Sequence, residues 1–153
     1  MENLFALAAG AVVVVIIGIA VAIALYVLSS LGTYKVLKKL NYANPWMAWI
    51  PVLSIFALAH VTGNEEGNTK VLGYEVPTIV FSFWWIVYAA VSRIPHIGGL
   101  LATVVCVICL GTCFINIYSR CENKSESEVQ AIGYVSGLIP IIGYCKFLSY
   151  KND

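Results

Sequence analysis

From Asn3 to Tyr34, NLFALAAGAVVVVIIGIAVAIALYVLSSLGTY, the chain carries no charged residue. A run of this kind has few folded solutions. Backbone polar groups that leave water must bond to one another, so the segment is predicted to be helical. A helix that is apolar on every side needs apolar surroundings on every side. From Leu4 to Leu31 it would reach about 42 Å at about 1.5 Å per residue. That exceeds the ~30 Å hydrocarbon core of a bilayer, so the helix must tilt or project past one face. It does not read as a signal peptide. It lacks a basic n-region, and its apolar run far exceeds the roughly 7–15 residues of a signal's core.

The rest of the chain shares this character. Of 153 residues, 60% are hydrophobic and 11% charged, against roughly 45–50% and about 25% in soluble domains. So small a soluble chain could not bury that much apolar surface. The expected class is a polytopic integral membrane protein with the lipid bilayer as its first partner. Nine Lys+Arg against eight acids leave a net charge of +1 and no basic tract, so no nucleic-acid partner is expected. The odd count of five cysteines, three of them in an apolar run, argues for thiols rather than a disulfide framework.

Further apolar pieces follow the first span. Pro45 to Val61 contains PWMAWIPVLSIFALAHV, and a polar loop, TGNEEGNTKVLGYEV, comes next. A short aromatic span is predicted from Pro77 to Ser92, and RIPHIGG leads into a fourth apolar segment, Ile97 to Tyr118. A second polar loop, SRCENKSESEVQ, precedes a last apolar piece from Ala131 to Cys145. AWIPVLSIFALAHV and GLIPIIGYCKFLSY resemble one another, each following a long span and a basic linker. The chain therefore reads as a single membrane domain, residues 1–153. A weak repeat relates residues 4–61 to 97–150, joined by the span at 77–92.

Whether the Ile-Pro segments cross or dip decides the topology. With five full spans and the N-terminus outside, Lys35, Lys38, Lys39, Arg93, Lys146 and Lys151 lie inside, against Lys70, Arg120 and Lys124 outside. If both segments enter and leave on the cytoplasmic side, eight Lys and Arg lie inside and only Arg93 outside. The positive-inside rule favours the second arrangement. Pro51 and Pro140 each remove a backbone donor and break a helix, while Trp46 and Trp49 suit headgroup depth. The predicted fold is all-α: a transmembrane helical bundle of three true spans plus two Ile-Pro half-segments, with five full spans as the alternative. The C-terminus is cytoplasmic in both.

Candidate functional residues are few. Cys106, Cys109 and Cys113 share one helix face with Gly99, Ala102 and Asn116. Three thiolates on one face could hold a metal, but no paired CxxC accompanies them, so the stripe is read as a helix-packing seam. No metal or other cofactor is expected. His60, Arg93, His96 and Lys146 are ionisable groups near the membrane and so candidate pathway residues, although snorkelling explains groups at segment ends equally well. His60 and Lys146 take loosely comparable places after Pro51 and Pro140. Ser136 and Lys146 could be imagined as a catalytic pair, but no recognisable catalytic motif is present and no enzyme activity is expected.

The run YKVLKKLNYANPWMAWIPVLSIFALAHV, Tyr34 to Val61, resembles a segment of small uncharacterised bacterial polytopic membrane proteins. In these, a basic stretch after the first span leads to Trp-x-Ala-x-Ile-Pro, matched here by Trp46, Ala48, Ile50 and Pro51. The resemblance implies a bacterial cytoplasmic membrane location and no particular activity. Small loops and small-residue seams point to a role in association, as a scaffold, accessory or assembly subunit bound to a second copy or another membrane protein. A small-solute or ion transporter built on broken helices is the alternative.

Overall fold

The computed structural model describes the backbone of residues 2–151 and the side chains of residues 10–151. Helix α1 spans Glu2–Lys39, so the expected span runs on through its basic flank. The side chains of Leu4 to Ala9, at the start of that span, lie outside the described residues. Lys38 and Lys39 fall in the last turn, where cations complement the negative end of the helix dipole. The helix stops because Asn41 turns left-handed, at φ 54°. Tyr42 N–H then donates to Leu37 O (2.9 Å) and Asn41 N–H to Lys38 O (3.1 Å), the paired closure of a Schellman motif. α1 has two parts. From Gly10 to Val27 every residue is exposed, whereas Ser30, Gly32, Thr33, Val36 and Leu37 are buried.

After Asn41 the chain runs back along α1. A 3₁₀ turn, Pro45–Trp49, packs on α1, and the Tyr26 hydroxyl donates to Trp49 O. Helix α2, Pro51–His60, then starts afresh. Pro51 does not kink a longer helix. It occupies the first turn, where its missing N–H costs nothing, behind an extended Ile50 (φ −112°, ψ 117°). α2 brings His60 back beside Tyr42, ring centroids 5.8 Å apart.

The polar loop that follows contains a structure missed by the all-α reading. Strands β1, Asn68–Val71, and β2, Tyr74–Pro77, pair antiparallel with Val71 opposite Tyr74. Leu72 and Gly73 make the two-residue turn with φ 50° and 89°, the sign pattern that suits the twist of a hairpin. A small two-stranded sheet thus accompanies the helices.

The expected aromatic span is not one helix either. It divides into α3, Thr78–Phe81, and α4, Trp84–Val91. Buried Ser82 sits at the break and returns its hydroxyl to Thr78 O at 2.7 Å. Together they reach only about 21 Å, short of the ~30 Å hydrocarbon core. Among the described residues two helices are long and apolar enough to cross a membrane, Gly10–Lys39 and Gly98–Glu122, not three. The fold is helical, and these two helices support a membrane location.

Helix α5, Gly98–Glu122, ends like α1, on a left-handed asparagine: Asn123 has φ 51°, and Lys124 N–H donates to Ser119 O at 3.1 Å. Most of the second polar loop is helical, because a Ser125–Glu128 capping box starts α6, Glu126–Leu138, immediately. Such a box satisfies two orphan donors of a helix start. The last apolar piece is therefore cut in two. Pro140 opens α7, Pro140–Ser149, as Pro51 opens α2. α6 lies antiparallel on α5, and α7 runs back beside the C-terminal part of α1.

The core gathers around the C-terminal half of α5. Phe114, Tyr118 and Phe147 stack with centroids 5.1–5.8 Å apart, beside fully buried Val36, Leu37 and Ile117. The closest helix approach is α5 on α6, where glycines remove the side chains that would intervene. A Cβ on Gly137 would lie 2.8 Å from both the Gly111 backbone and Val107 O. Gly137→Ala should therefore push α5 and α6 apart and cost about 1–3 kcal/mol. Gly18→Ala, with open space around Gly18, should be neutral or raise stability by up to about 1 kcal/mol. Thermal unfolding of the two variants in one detergent checks both.

Candidate functional site

The two Pro-led helices end at one place, and their ends are held by cations from the long helices. The last carbonyls of α2 accept from the backbone that follows, Val61 N–H to Ala57 O, Thr62 N–H to Ala59 O and Gly63 N–H to His60 O, so the cations act on carbonyls at and just beyond the helix ends. At the end of α2, the Arg120 guanidinium donates to Val61 O (2.8 Å), Thr62 O (2.9 Å) and Gly63 O (2.6 Å). Around the end of α7, Lys35 donates to Leu148 O (2.8 Å) and Lys39 to Lys151 O (3.4 Å). The arrangement is crossed: α2 follows α1 but is closed from α5, whereas α7 follows α5 but is closed from α1.

Glu122 fastens the same region. Its Oε1 accepts from Lys146 Nζ (2.8 Å) and Tyr150 Oη (2.7 Å), and its Oε2 from Lys124 Nζ (2.8 Å). Lys146 also sits 4.1 Å from the centre of the Tyr118 ring, within reach of a cation–π attraction. Tyr118 in turn shares a hydroxyl–hydroxyl bond with buried Ser136 at 2.9 Å, so α5, α6 and α7 are tied in series. Burial works to raise the Glu122 carboxyl, but the bonds from Lys124, Lys146 and Tyr150 outweigh it and pull it down to about 2. The Tyr150 phenol moves the opposite way, raised by burial and then by its bond to that carboxylate.

This geometry changes the reading of several sequence candidates. Lys146 is committed to Glu122 and Tyr118 rather than left free along a path, and Ser136 bonds to Tyr118 rather than to Lys146. His60 is the last residue of α2, exposed, stacked on Phe56 at 5.5 Å. Lys146 lies in the last turn of α7 as His60 lies in the last turn of α2, six residues after Pro140 against nine after Pro51. Arg93 and His96 are exposed in the turn between α4 and α5, far along α5 from Glu122, with His96 at φ 66°. Trp46 and Trp49 are 54% and 42% exposed.

The small-residue stripe of α5 splits. Ala102, Cys113 and Asn116 are buried, Cys106 and Cys109 half-buried, and Gly99 has open space around it. The tight α5–α6 contact instead uses Val107, Gly111 and Ile115 against Gly133 and Gly137. All five cysteines are free thiols. Among the described residues no group of three His, Cys, Asp or Glu side chains is placed to hold a metal.

Glu122, Arg120 and Tyr150 were missed as a group because nothing local links them. Gly133 and Gly137 did carry a signal, the G-x-x-x-G spacing of close helix contacts. Compared with known proteins, the chain matches no family model, no curated protein and no solved structure.

The clasp makes a pH test possible. Glu122 is held below its ordinary 4.5 in the folded chain, so the stability it contributes is complete above that value and is lost as pH falls toward 2. In detergent, the unfolding midpoint of the unaltered chain should exceed that of Glu122→Gln at neutral pH. The gap should close between about pH 4.5 and 2. A gap independent of pH would exclude an ionised clasp.

Proposed function

We propose that the chain is a multi-pass protein of the bacterial cytoplasmic membrane that works by association, as a scaffold, accessory or assembly subunit. In this reading α1 and α5 are the two full-length crossings, and the shorter α3–α4 returns the chain between them together with the turn at residues 92–97, with the N-terminus outside and the C-terminus in the cytoplasm. The two Pro-led hairpins dip in from the cytoplasmic face and return to it. The observation that carries the association is the bare stretch of α1. From Gly10 to Ala24 every residue is exposed, and the stretch is apolar around its whole circumference. A stretch left bare by the rest of the chain offers its perimeter to lipid or to a helix of another subunit.

The orientation is supported by charge. Lys35, Lys38, Lys39, Lys70, Arg120, Lys124, Lys146 and Lys151 belong to segments at the C-terminal end of α5, leaving Arg93 at the other end. The resemblance of Tyr34 to Val61 to small bacterial membrane proteins supports the location. Transport through paired broken helices is less well supported, because inverted halves would bring the two half-segments in from opposite faces. Here α2 and α7 both end beside the C-terminus of α5.

Two measurements test this. With the native cysteines replaced, Asn68→Cys and Ser125→Cys should both react with impermeant thiol reagents only from the cytoplasmic side. Labelling of either from outside would overturn the three-crossing topology. In native membranes, a photocrosslinker at Val14 or Ile17 should capture a second copy or another membrane protein. Exclusive capture of lipid, with a monomer in detergent, would sink the association.

A further inference from the structure

One cleft is not used by the clasp. The β-hairpin lies over the C-terminal half of α5 and the first turns of α6, enclosing about 380 Å³. A polar recess of about 170 Å³ adjoins it, and the two share Lys70, Asn116 and Glu126. These three residues come from β1, α5 and α6, so the hairpin that the sequence hid in a polar loop completes the site.

Asn116 is the informative side chain. It is 9% exposed, and its Nδ2 donates to Thr112 O at 2.9 Å. That bond fixes the amide orientation, since a backbone carbonyl can only accept. The carboxamide oxygen is left facing the cleft and accepts no hydrogen bond from the described residues. The oxygen remains open to the cleft, so a donor that enters there can bond to it. Glu126 stands beside it on the cleft wall, and Lys70 lines the same space from the hairpin. Neither forms an ion pair among the described residues. Arg120, at the edge of the recess, is already spent on the three carbonyls of the α2 end.

The cleft therefore carries both signs, with Asn116 Oδ1 and the Glu126 carboxylate on the helix side and the Lys70 ammonium on the hairpin, cross-strand from Glu75. It also changes character along its length. Thr62, Asn64, Glu75 and Ser119 line the recess, while Leu72, Ile115 and Tyr134 line the larger part. We propose that this cleft binds a zwitterionic headgroup carrying a primary ammonium and a phosphodiester, as in phosphatidylethanolamine. Asn116 Oδ1 and Glu126 receive the ammonium, and Lys70 receives the phosphate. The inference rests on the membrane reading above, which places the cleft at the cytoplasmic interface. Charge-assisted hydrogen bonds of this kind are short and directional. A quaternary ammonium has no N–H to give, so choline lipids lose the contact with both acceptors.

The test uses the full chain reconstituted in nanodiscs of equal phosphatidylethanolamine, phosphatidylcholine and phosphatidylglycerol. Lipids retained after detergent extraction are counted by native mass spectrometry. The ethanolamine lipid should be retained roughly tenfold over each of the others, the ratio given by about 1.4 kcal/mol. Glu126→Gln and Asn116→Leu should bring the ethanolamine-to-choline ratio toward one, while Lys70→Gln should lower retention of all three lipids. Glu126 is exposed, so its variant keeps the test alive should Asn116→Leu fail to fold. A second arm adds soluble glycerophosphoethanolamine. Displacement of lipid at millimolar concentration identifies the headgroup as sufficient, and displacement only by whole lipid shows that the acyl chains contribute. Equal retention of ethanolamine and choline lipids, or a ratio unchanged in both acceptor variants, overturns the proposal while leaving the membrane reading intact. A chain that does not insert into nanodiscs overturns both.

Discussion

The architecture depends on one requirement, that the carbonyls at and just beyond the ends of two short helices find donors. α2 and α7 are ten residues each, too short to be stable helices by themselves in water. The chain leaving them is held by Arg120 and by Lys35 and Lys39, positive groups where the helix dipole is negative. Because each donor comes from the other half of the chain, closing the short helices also fixes the two long helices relative to each other. Glu122 adds a carboxylate that collects two lysines and a tyrosine at the same level. The aromatic core of Phe114, Tyr118 and Phe147 then fills directly above it.

Much of this was legible where the physics is local. The uncharged run announced α1, and the Ile-Pro dipeptides, read as breaks, stand where two helices start. The capping box of Ser125 and Glu128 and the G-x-x-x-G spacing of Gly133 and Gly137 were equally present in the sequence, and both went unread. What could not be read was non-local. Arg120 and Val61 are 59 positions apart, and Lys35 and Leu148 are 113. No spacing rule connects such pairs, because only the folded path of the backbone brings them together. The β-hairpin failed for a different reason. Its strands are four residues each and lie in a polar stretch, so neither length nor alternation separated them from a loop.

The candidate site changed accordingly. Single ionisable residues, His60, Arg93, His96 and Lys146, stood out in the sequence because charge is rare there. The structure instead makes groups of partners, and the residues that matter in them are ordinary by composition. Lys146 passes from a lone cation to one member of a clasp, and Asn116 from one position in a cysteine stripe to the polar floor of a cleft. The stripe itself is divided between the core and open surface, because the helix approach it was read as supplying is made by glycines one face away.

The crossed caps carry a consequence for biosynthesis. When the ribosome has completed α1, the 3₁₀ turn and α2, the donor for the end of α2 has not yet been made. Arg120 follows Val61 by 59 residues, after the hairpin, α3, α4 and nearly all of α5. Until then the first Pro-led unit has an open end, and α1 has nothing in place of α7 to cover Gly32. The N-terminal half is thus a waiting partner rather than a finished subdomain. Its completion is timed by the synthesis of α5, so closure of the first half and the arrival of that helix are one event.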